Sequence, residues 1–362
     1  MKMRRREVLL GATAAATAAA NFPAPAIAQG IKELKLVTSY PRDLPESGTS
    51  PEQLARSITI MSDGRLKVRV YPPDSLVKAL EVFDAVSAGV ADLYVTDEAY
   101  FQDKSPALNF FAAVPYGMTA DEFCSWILFG GGQALWDEVD AQFNIKPLMA
   151  NNTGVQMGGW FNKEVNSPED FKGLRYRMPE LGAEVLRRMG ATVVTTPAGE
   201  IATALKSGAI DASEYVGPWP DVWLGLDKVA SYYYYPGFHE PGFNNALGIN
   251  KTLWDGLTPS ERAIIEVATQ AEVTRSLAEA NAENVKALAR LRADERIKIR
   301  RFSAELIKTF GRLSKEVLAD TAAKDPLARK VYDSYMTFLA GIMDWGELSE
   351  TGYREARRMA LG

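Results

Sequence analysis

Apolar and polar positions alternate over "IKELKLVTSY" (Ile31–Tyr40), the period of a half-buried strand. "SPEQLARSITIMSDG" (Ser50–Gly64) opens on an N-cap serine, with proline and glutamate in the next two positions, and stops at a glycine, which predicts a helix. "LKVRVYP" (Leu66–Pro72) and "ADLYVTD" (Ala91–Asp97) read as strands, and "LVKALEVFDAVSAG" (Leu76–Gly89) between them reads as a helix. This β-α-β-α-β order predicts an α/β unit with parallel neighbours.

The order returns in mid-chain. "GLRYRM" (Gly173–Met178), "ATVVTTP" (Ala191–Pro197) and "AIDASEY" (Ala209–Tyr215) read as strands, and "ELGAEVLRRMG" (Glu180–Gly190) and "GEIATALKSG" (Gly199–Gly208) as the helices between them. From Pro259 onward the pattern is that of long amphipathic helices, at 261–292, 304–319 and 327–343, broken by a strand-like "RIKIRRF" (Arg296–Phe302). The expected fold class is α/β with two lobes. Residues 29–150 with about 243–303 form the N-terminal lobe and residues 151–242 the C-terminal lobe. Residues 304–362 form C-terminal helices that serve packing or dimerisation.

The first residues change the picture. Lys2, Arg4, Arg5 and Arg6 precede an apolar run from Val8 to Ala20, and "Ala26-Ile27-Ala28" has the small residues of a cleavage site. The run is too short to span a bilayer, which takes about 20 residues. Residues 1–28 therefore read as a signal peptide, and the Arg5-Arg6 pair points to twin-arginine export, with the general secretory route as the alternative. The leader carries those four basic residues against Glu7, so its removal takes the formal charge from −5 to −8. An acidic exported protein is a poor partner for nucleic acid or anionic membrane. The one cysteine, Cys124, cannot close a disulfide within the chain. It lies in an apolar helical run and reads as core.

His239 is the one histidine, so neither a Ser-His-Asp triad with an independent base nor a two-histidine zinc site is readily built. Neither G-x-G-x-x-G nor a Walker A run is present, and "FGGGQ" (Phe129–Gln133) reads as a helix break or close-packing point. Two lobes without a cofactor motif suggest a cleft that closes on a small molecule. Arg177 ends a strand before Pro179, where its planar fork can meet a carboxylate; pairing with a surface acid is the plainer reading of that residue alone. Glu214 and Tyr215 end another strand, with Trp219 close behind, and Glu240 lies among rings in "YYYYPGFHEPGF". Buried carboxylates there need a partner or a cation. Two glutamates with the amide of Gln156 make an oxygen-rich set suited to a hard ion. Taken separately, each of these residues is better explained by structure.

"NTGVQMGGWF" (Asn152–Phe161), "ALKSGAIDASEYVGP" (Ala204–Pro218), "YYYYPGF" with Glu240, and "AAVPYGM" (Ala112–Met118) resemble the substrate-binding proteins of TRAP transporters, over essentially the whole mature chain. Within that family the likeness is to the branch that binds 2-oxo acids such as pyruvate. The resemblance implies a periplasmic-binding fold with a long helix between the lobes, and a receptor that is not an enzyme. It also implies a bound cation, sodium or alternatively calcium, with no organic cofactor. Arg177 would then hold the ligand carboxylate, with Asn152 and Tyr100 bonding the ligand or orienting its other contacts. Gln156, Glu214 and Glu240 would ligate the cation through side chains, and Tyr215 through its carbonyl. Partners would be a small 2-oxo or 2-hydroxy monocarboxylate, the small and large membrane subunits of the transporter, and a second copy of the chain across the C-terminal helices. Tyr215 departs from that branch, which has tryptophan, and so do Asp97 and Glu98, where it has uncharged residues. A receptor for a signalling system and a lyase or hydrolase using Glu214 as base are the competing readings.

Overall fold

The structure, a computed structural model, describes residues 30–362; the expected leader, 1–28, lies outside the described residues. Two sheets organise the chain. The first has the order β2-β1-β3-β10-β4, from Leu66–Tyr71 (β2), Lys32–Thr38 (β1), Leu93–Thr96 (β3), Asn244–Asn250 (β10) and Ile145–Asn152 (β4). β1 pairs in parallel with β2 and β3, as the β-α-β pattern requires, and β10 runs antiparallel between β3 and β4. Helix α1 (Ser50–Met61) turns its apolar stripe, Leu54 and Ile58, onto Leu34, Leu36 and Leu66 of this sheet. Between β2 and β3 the expected helix is shorter, α2 (Val82–Ser87).

The second sheet has the order β11-β9-β5-β8-β6-β7. Its strands are Lys298–Arg301 (β11), Tyr232–Tyr235 (β9), Gly159–Phe161 (β5), Ala212–Ser213 (β8), Arg175–Arg177 (β6) and Thr192–Val194 (β7). β6 is parallel to both β7 and β8, while β5 is antiparallel to β8 and β9. The sequence places 243–303 in the N-terminal lobe, but β11 pairs in parallel with β9 in the second sheet. The tyrosine run of β9 exposes a strand edge that "KIRR" completes.

Further helices are α3 (Ala120–Phe129), α4 (Gly132–Asp140), α5 (Glu180–Arg188), α6 (Ile201–Ser207) and α7 (Pro218–Trp223). The longest, α8 (Pro259–Ala293), starts on a Thr258/Glu261 capping box and lies against β4 and α1 on one side and α7 on the other, so it touches the layers of both sheets. α9 (Ala304–Ala322) and α10 (Pro326–Gly346) fold back onto their own chain: Phe310, Leu313 and Tyr335 share one apolar core with Phe110, Trp126 and Phe171. The glycines expected as a close-packing point between α3 and α4 are one, because a Cβ on Gly130 would meet the Phe338 ring of α10 at 2.7 Å. The last helix, α11 (Gly352–Leu361), is exposed along its length. Cys124 is half-buried beside Met149.

Candidate functional site

The loop after β4 is fixed between two others by backbone hydrogen bonds. Gln156 N donates to Glu240 O (3.2 Å), Gly237 N to Gln156 O (3.0 Å) and Met157 N to Val216 O (2.9 Å). These bonds gather Gln156, the Glu214–Val216 segment and the His239–Glu240 turn, far apart in sequence, at one place. β6 supplies the fourth element. Its register sets Arg177 opposite Ser213, and Glu214 N donates to Arg177 O at 3.4 Å. Gly159 makes the approach feasible: its φ is +109°, and a Cβ there would stand 2.7 Å from Tyr176 Oη and 2.8 Å from Ser213 O.

A small cavity opens at this junction, and Gln156, Arg177, Glu214, Tyr215, Glu240 and Tyr100 all line it. Arg177 Nη1 donates to the side-chain carboxylate of Glu214, and Nε donates to Thr196 O at 3.1 Å. These bonds run through Nε and Nη1. Burial alone would lower the Arg177 pKa, but Glu214, with Tyr100, Glu240 and Tyr215, carries it above its ordinary value, so the guanidinium stays charged. Glu240 is raised as well, which for a carboxyl favours the neutral form. Burial, then the Glu214 and Asp97 carboxylates, push it well above the carboxylate range against the opposing pull of Arg177 and a bond from Gln156.

Glu214, His239 and Glu240 each bring one ligating atom within 4.8 Å of the others. His239 Nε2 lies 3.3 Å from Glu214 Oε2. Among the described residues, Glu214 Oε2, Gln156 Oε1 and both imidazole nitrogens are buried without a hydrogen-bond partner. Buried polar atoms in that state are costly, and the two oxygens call for a positive partner. The donor set fits a hard cation, with an imidazole added that sequence reasoning used only to argue against a catalytic triad. Its one signal was adjacency to Glu240.

Asn152 does not join the cavity wall. Its Oδ1 accepts Gly154 N (2.8 Å) and its Nδ2 donates to Gly242 O (3.2 Å), so both ends of the amide hold loops in place. The ring that lines the cavity beside Glu214 is Tyr215, not Trp219. Asp97 lines the cavity, while its neighbour Glu98 turns into the core and accepts Trp136 Nε1 at 2.7 Å. Tyr40, Ser47 and Phe243, which drew no notice in the sequence, complete much of the wall.

Residues 38–325 match the bacterial extracellular solute-binding proteins, family 7. The chain belongs to this family. A monocarboxylate 2-oxoacid-binding periplasmic protein from Nostoc sp. is 37% identical over 360 residues, covering 97% of this chain and 98% of the relative. A TRAP transporter solute binding protein from Bordetella bronchiseptica, a dimer with calcium and picolinate bound, superposes with a TM-score of 0.89 at 30% identity, over 92% of this chain and 99% of that one. A TRAP periplasmic solute binding protein from Pseudoalteromonas atlantica, with bound sodium and pyruvate, superposes with a TM-score of 0.86 at 34% identity, over 90% and 99%. This family 7 protein thus has the two-lobed α/β architecture expected of it, and its family is one of receptors, not enzymes. Among the described residues no helix is long and apolar enough to cross a membrane.

Proposed function

We propose that this protein is the periplasmic receptor of a TRAP transporter and that it captures a small 2-oxo or 2-hydroxy monocarboxylate together with a cation, sodium or calcium. The observation that carries this reading is a single small cavity in which the buried Arg177 guanidinium faces Glu214, Glu240 and Gln156. The similar proteins that hold pyruvate with sodium and picolinate with calcium support it.

In this reading Arg177 takes the ligand carboxylate. Glu214, Glu240 and Gln156 Oε1 hold the cation, with the Tyr215 carbonyl and His239 beside them. The bound cation supplies positive charge against two carboxylates and the incoming anion. Tyr100 and Tyr215 wall the site from water, which strengthens each of these contacts. Asn152 acts at one remove, by pinning the loop that carries Gln156. Lobes of about 29–150 with 243–297, and 151–242 with β11, close over the ligand, and the closed form docks on the small and large membrane subunits. Export through the leader at 1–28 places the receptor in the periplasm. The exposed face of α11 pairs two copies.

The test is a thermal-shift screen of short 2-oxo, 2-hydroxy and aromatic acids, with sodium, with calcium and after chelation. Ligands that bind the native state raise its melting temperature. A shift with pyruvate or lactate that shrinks after chelation in sodium-free buffer is expected; no shift with any acid in any ion overturns the reading.

A further inference from the structure

Resting on the cation site of the receptor reading above, we propose that His239 is a ligand of that site, and that the site therefore extends beyond sodium and calcium to an imidazole-binding divalent ion of the zinc class. Carboxylates and carbonyls suit calcium, whereas a neutral imidazole suits zinc and its transition-metal neighbours. The similar proteins described above hold sodium or calcium. An imidazole among the donors changes which ions compete.

His239 is 2% exposed, and among the described residues neither of its ring nitrogens has a hydrogen-bond partner. Its Nε2 lies 3.3 Å from Glu214 Oε2, yet the two are not hydrogen-bonded. Two donors that are each about 2.1 Å from one zinc ion stand about 3.0–3.4 Å apart, from right-angled to tetrahedral arrangements. The observed spacing is that of two atoms aimed at a common centre. Glu214 divides its oxygens between two tasks, since Oε1 takes Arg177 and Oε2 faces His239. Gln156 is divided likewise: its Nε2 donates to Thr153 Oγ1 (3.1 Å), and its Oε1 is buried without a partner. Glu240 completes the cluster, each residue offering an atom within 4.8 Å of the others in the set Glu214, His239 and Glu240.

The imidazole is also held in place. Phe238 O accepts Tyr116 N (2.8 Å) and Glu240 O accepts Gln156 N (3.2 Å), so the backbone is pinned on both sides of His239. Gly182 of α5 lets the turn come close, because a Cβ there would stand 2.8 Å from His239 Cβ. The Phe238 ring meets the imidazole edge to face, with centroids 5.6 Å apart. A ligand fixed in this way loses little freedom when the ion arrives. A phenyl ring would fill the same space without burying two unpaired nitrogens, so packing alone does not account for the histidine.

His239 is the one histidine in the chain, so the imidazole nitrogens can be read by magnetic resonance without overlap. Histidine is labelled with nitrogen-15 in protein prepared without a histidine tag, ions are stripped by chelation, and calcium or zinc is added alone. Zinc is expected to move the His239 Nε2 resonance to that of a metal-bound nitrogen, and calcium to leave it nearly in place. Isothermal titration of His239→Phe, which keeps a ring against Phe238, is expected to show zinc affinity lowered by about tenfold to a hundredfold or more, since even a partner behind a ligand is worth about that much. Calcium affinity is expected to stay within about threefold, because calcium takes oxygen ligands. Circular dichroism and the unliganded melting temperature check that the variant folds, and the wild-type resonance decides the matter without it. An Nε2 resonance that zinc leaves unmoved, or a zinc affinity unchanged in His239→Phe, overturns the proposal and leaves the receptor reading standing. The receptor reading fails on a different result, no shift of the melting temperature by any acid in any ion, zinc included.

Discussion

Arg177 donates from Nη1 to the carboxylate of Glu214, and the two side chains are 3% and 1% exposed. The pair sets up a competition. The guanidinium that would take a ligand carboxylate already holds Glu214, and Glu214 can give it up only if another positive partner replaces it. In the proposed receptor, anion and cation binding would be coupled, each favouring the other by the same factor.

A double-mutant cycle measures the pair directly. Arg177→Met leaves Glu214 buried without its guanidinium and is expected to cost about 3–5 kcal/mol of stability. Arg177→Met with Glu214→Gln restores most of that, because no uncompensated charge is left behind. Urea unfolding checks both. Ligand binding is expected to be lost in the single and the double variant alike, so stability and binding separate.

Glu240→Gln is expected to move stability and binding in opposite directions. Burial and the Glu214 and Asp97 charges make an ionised Glu240 unfavourable, so the neutral amide raises the melting temperature of the unliganded chain at pH 8. The same change removes one charged oxygen from the set that faces the cation, and 2-oxo acid affinity in calcium falls by about tenfold or more. Chelation of the wild type is expected to mimic the loss of affinity without the gain in stability. Calorimetry and thermal shift on one preparation read both.

The sequence carried the fold well where periodicity was strong. α1, α8, α9 and α10 follow their apolar stripes, and the two β-α-β runs give the parallel pairs β1 with β2 and β6 with β7. β11 was legible as a strand but not as a member of the second sheet, because its partner, the tyrosine run of β9, is chosen by tertiary geometry. In the site, Arg177, Glu214 and Glu240 stood out as charges at strand ends. Their direct pairing did not, since it depends on the register that sets Arg177 against Ser213. Asn152 shows the converse. Its residue type suits ligand contact, yet Gly154 N and Gly242 O take both ends of its amide. Glu98 adjoins Asp97 in sequence, but Asp97 caps a short 3-10 helix and lines the cavity, while Glu98 opens that helix and turns inward to Trp136.

The buried Glu98 gives a pH dependence of known sign. Burial raises its carboxyl to about 7 against bonds from Tyr94, Asp140 and Trp136 that pull it down, and the Asp140 carboxyl beside it is raised further by burial and by Glu98. The folded chain therefore holds a proton that the unfolded chain releases above about pH 4.5. The stability this gives is complete below that pH and is lost as pH climbs to about 7. Urea midpoints are expected to fall from pH 5 to pH 8. Asp140→Asn removes the second raised carboxyl of the pair and keeps a donor beside Glu98, so it is expected to flatten that slope. An unchanged slope would remove the pair from the account.

The C-terminal helices divide into a part that serves this chain and a part that does not. α9 and α10 bury Phe310, Leu313 and Tyr335 in their own core. Beyond Gly346 the helix passes through a π-type turn, Glu347–Thr351, into α11, and the large apolar side chains there face outward: Leu348 is 80% exposed, Met359 81% and Leu361 82%. Large apolar side chains left outward on a helix with no buried residue among those described are the kind of surface that association covers. Truncation after Gly346 is expected to convert a dimer to a monomer in sedimentation velocity. The same truncation is expected to leave ligand affinity within about twofold and the melting temperature nearly unchanged, because no cavity residue and no core side chain is removed. Leu348→Glu with Leu361→Glu tests these exposed side chains in the full-length chain, where added charge opposes pairing. A wild-type chain that sediments as a monomer at every concentration, or a dimer that survives both changes, would assign the exposed face of α11 some role other than pairing.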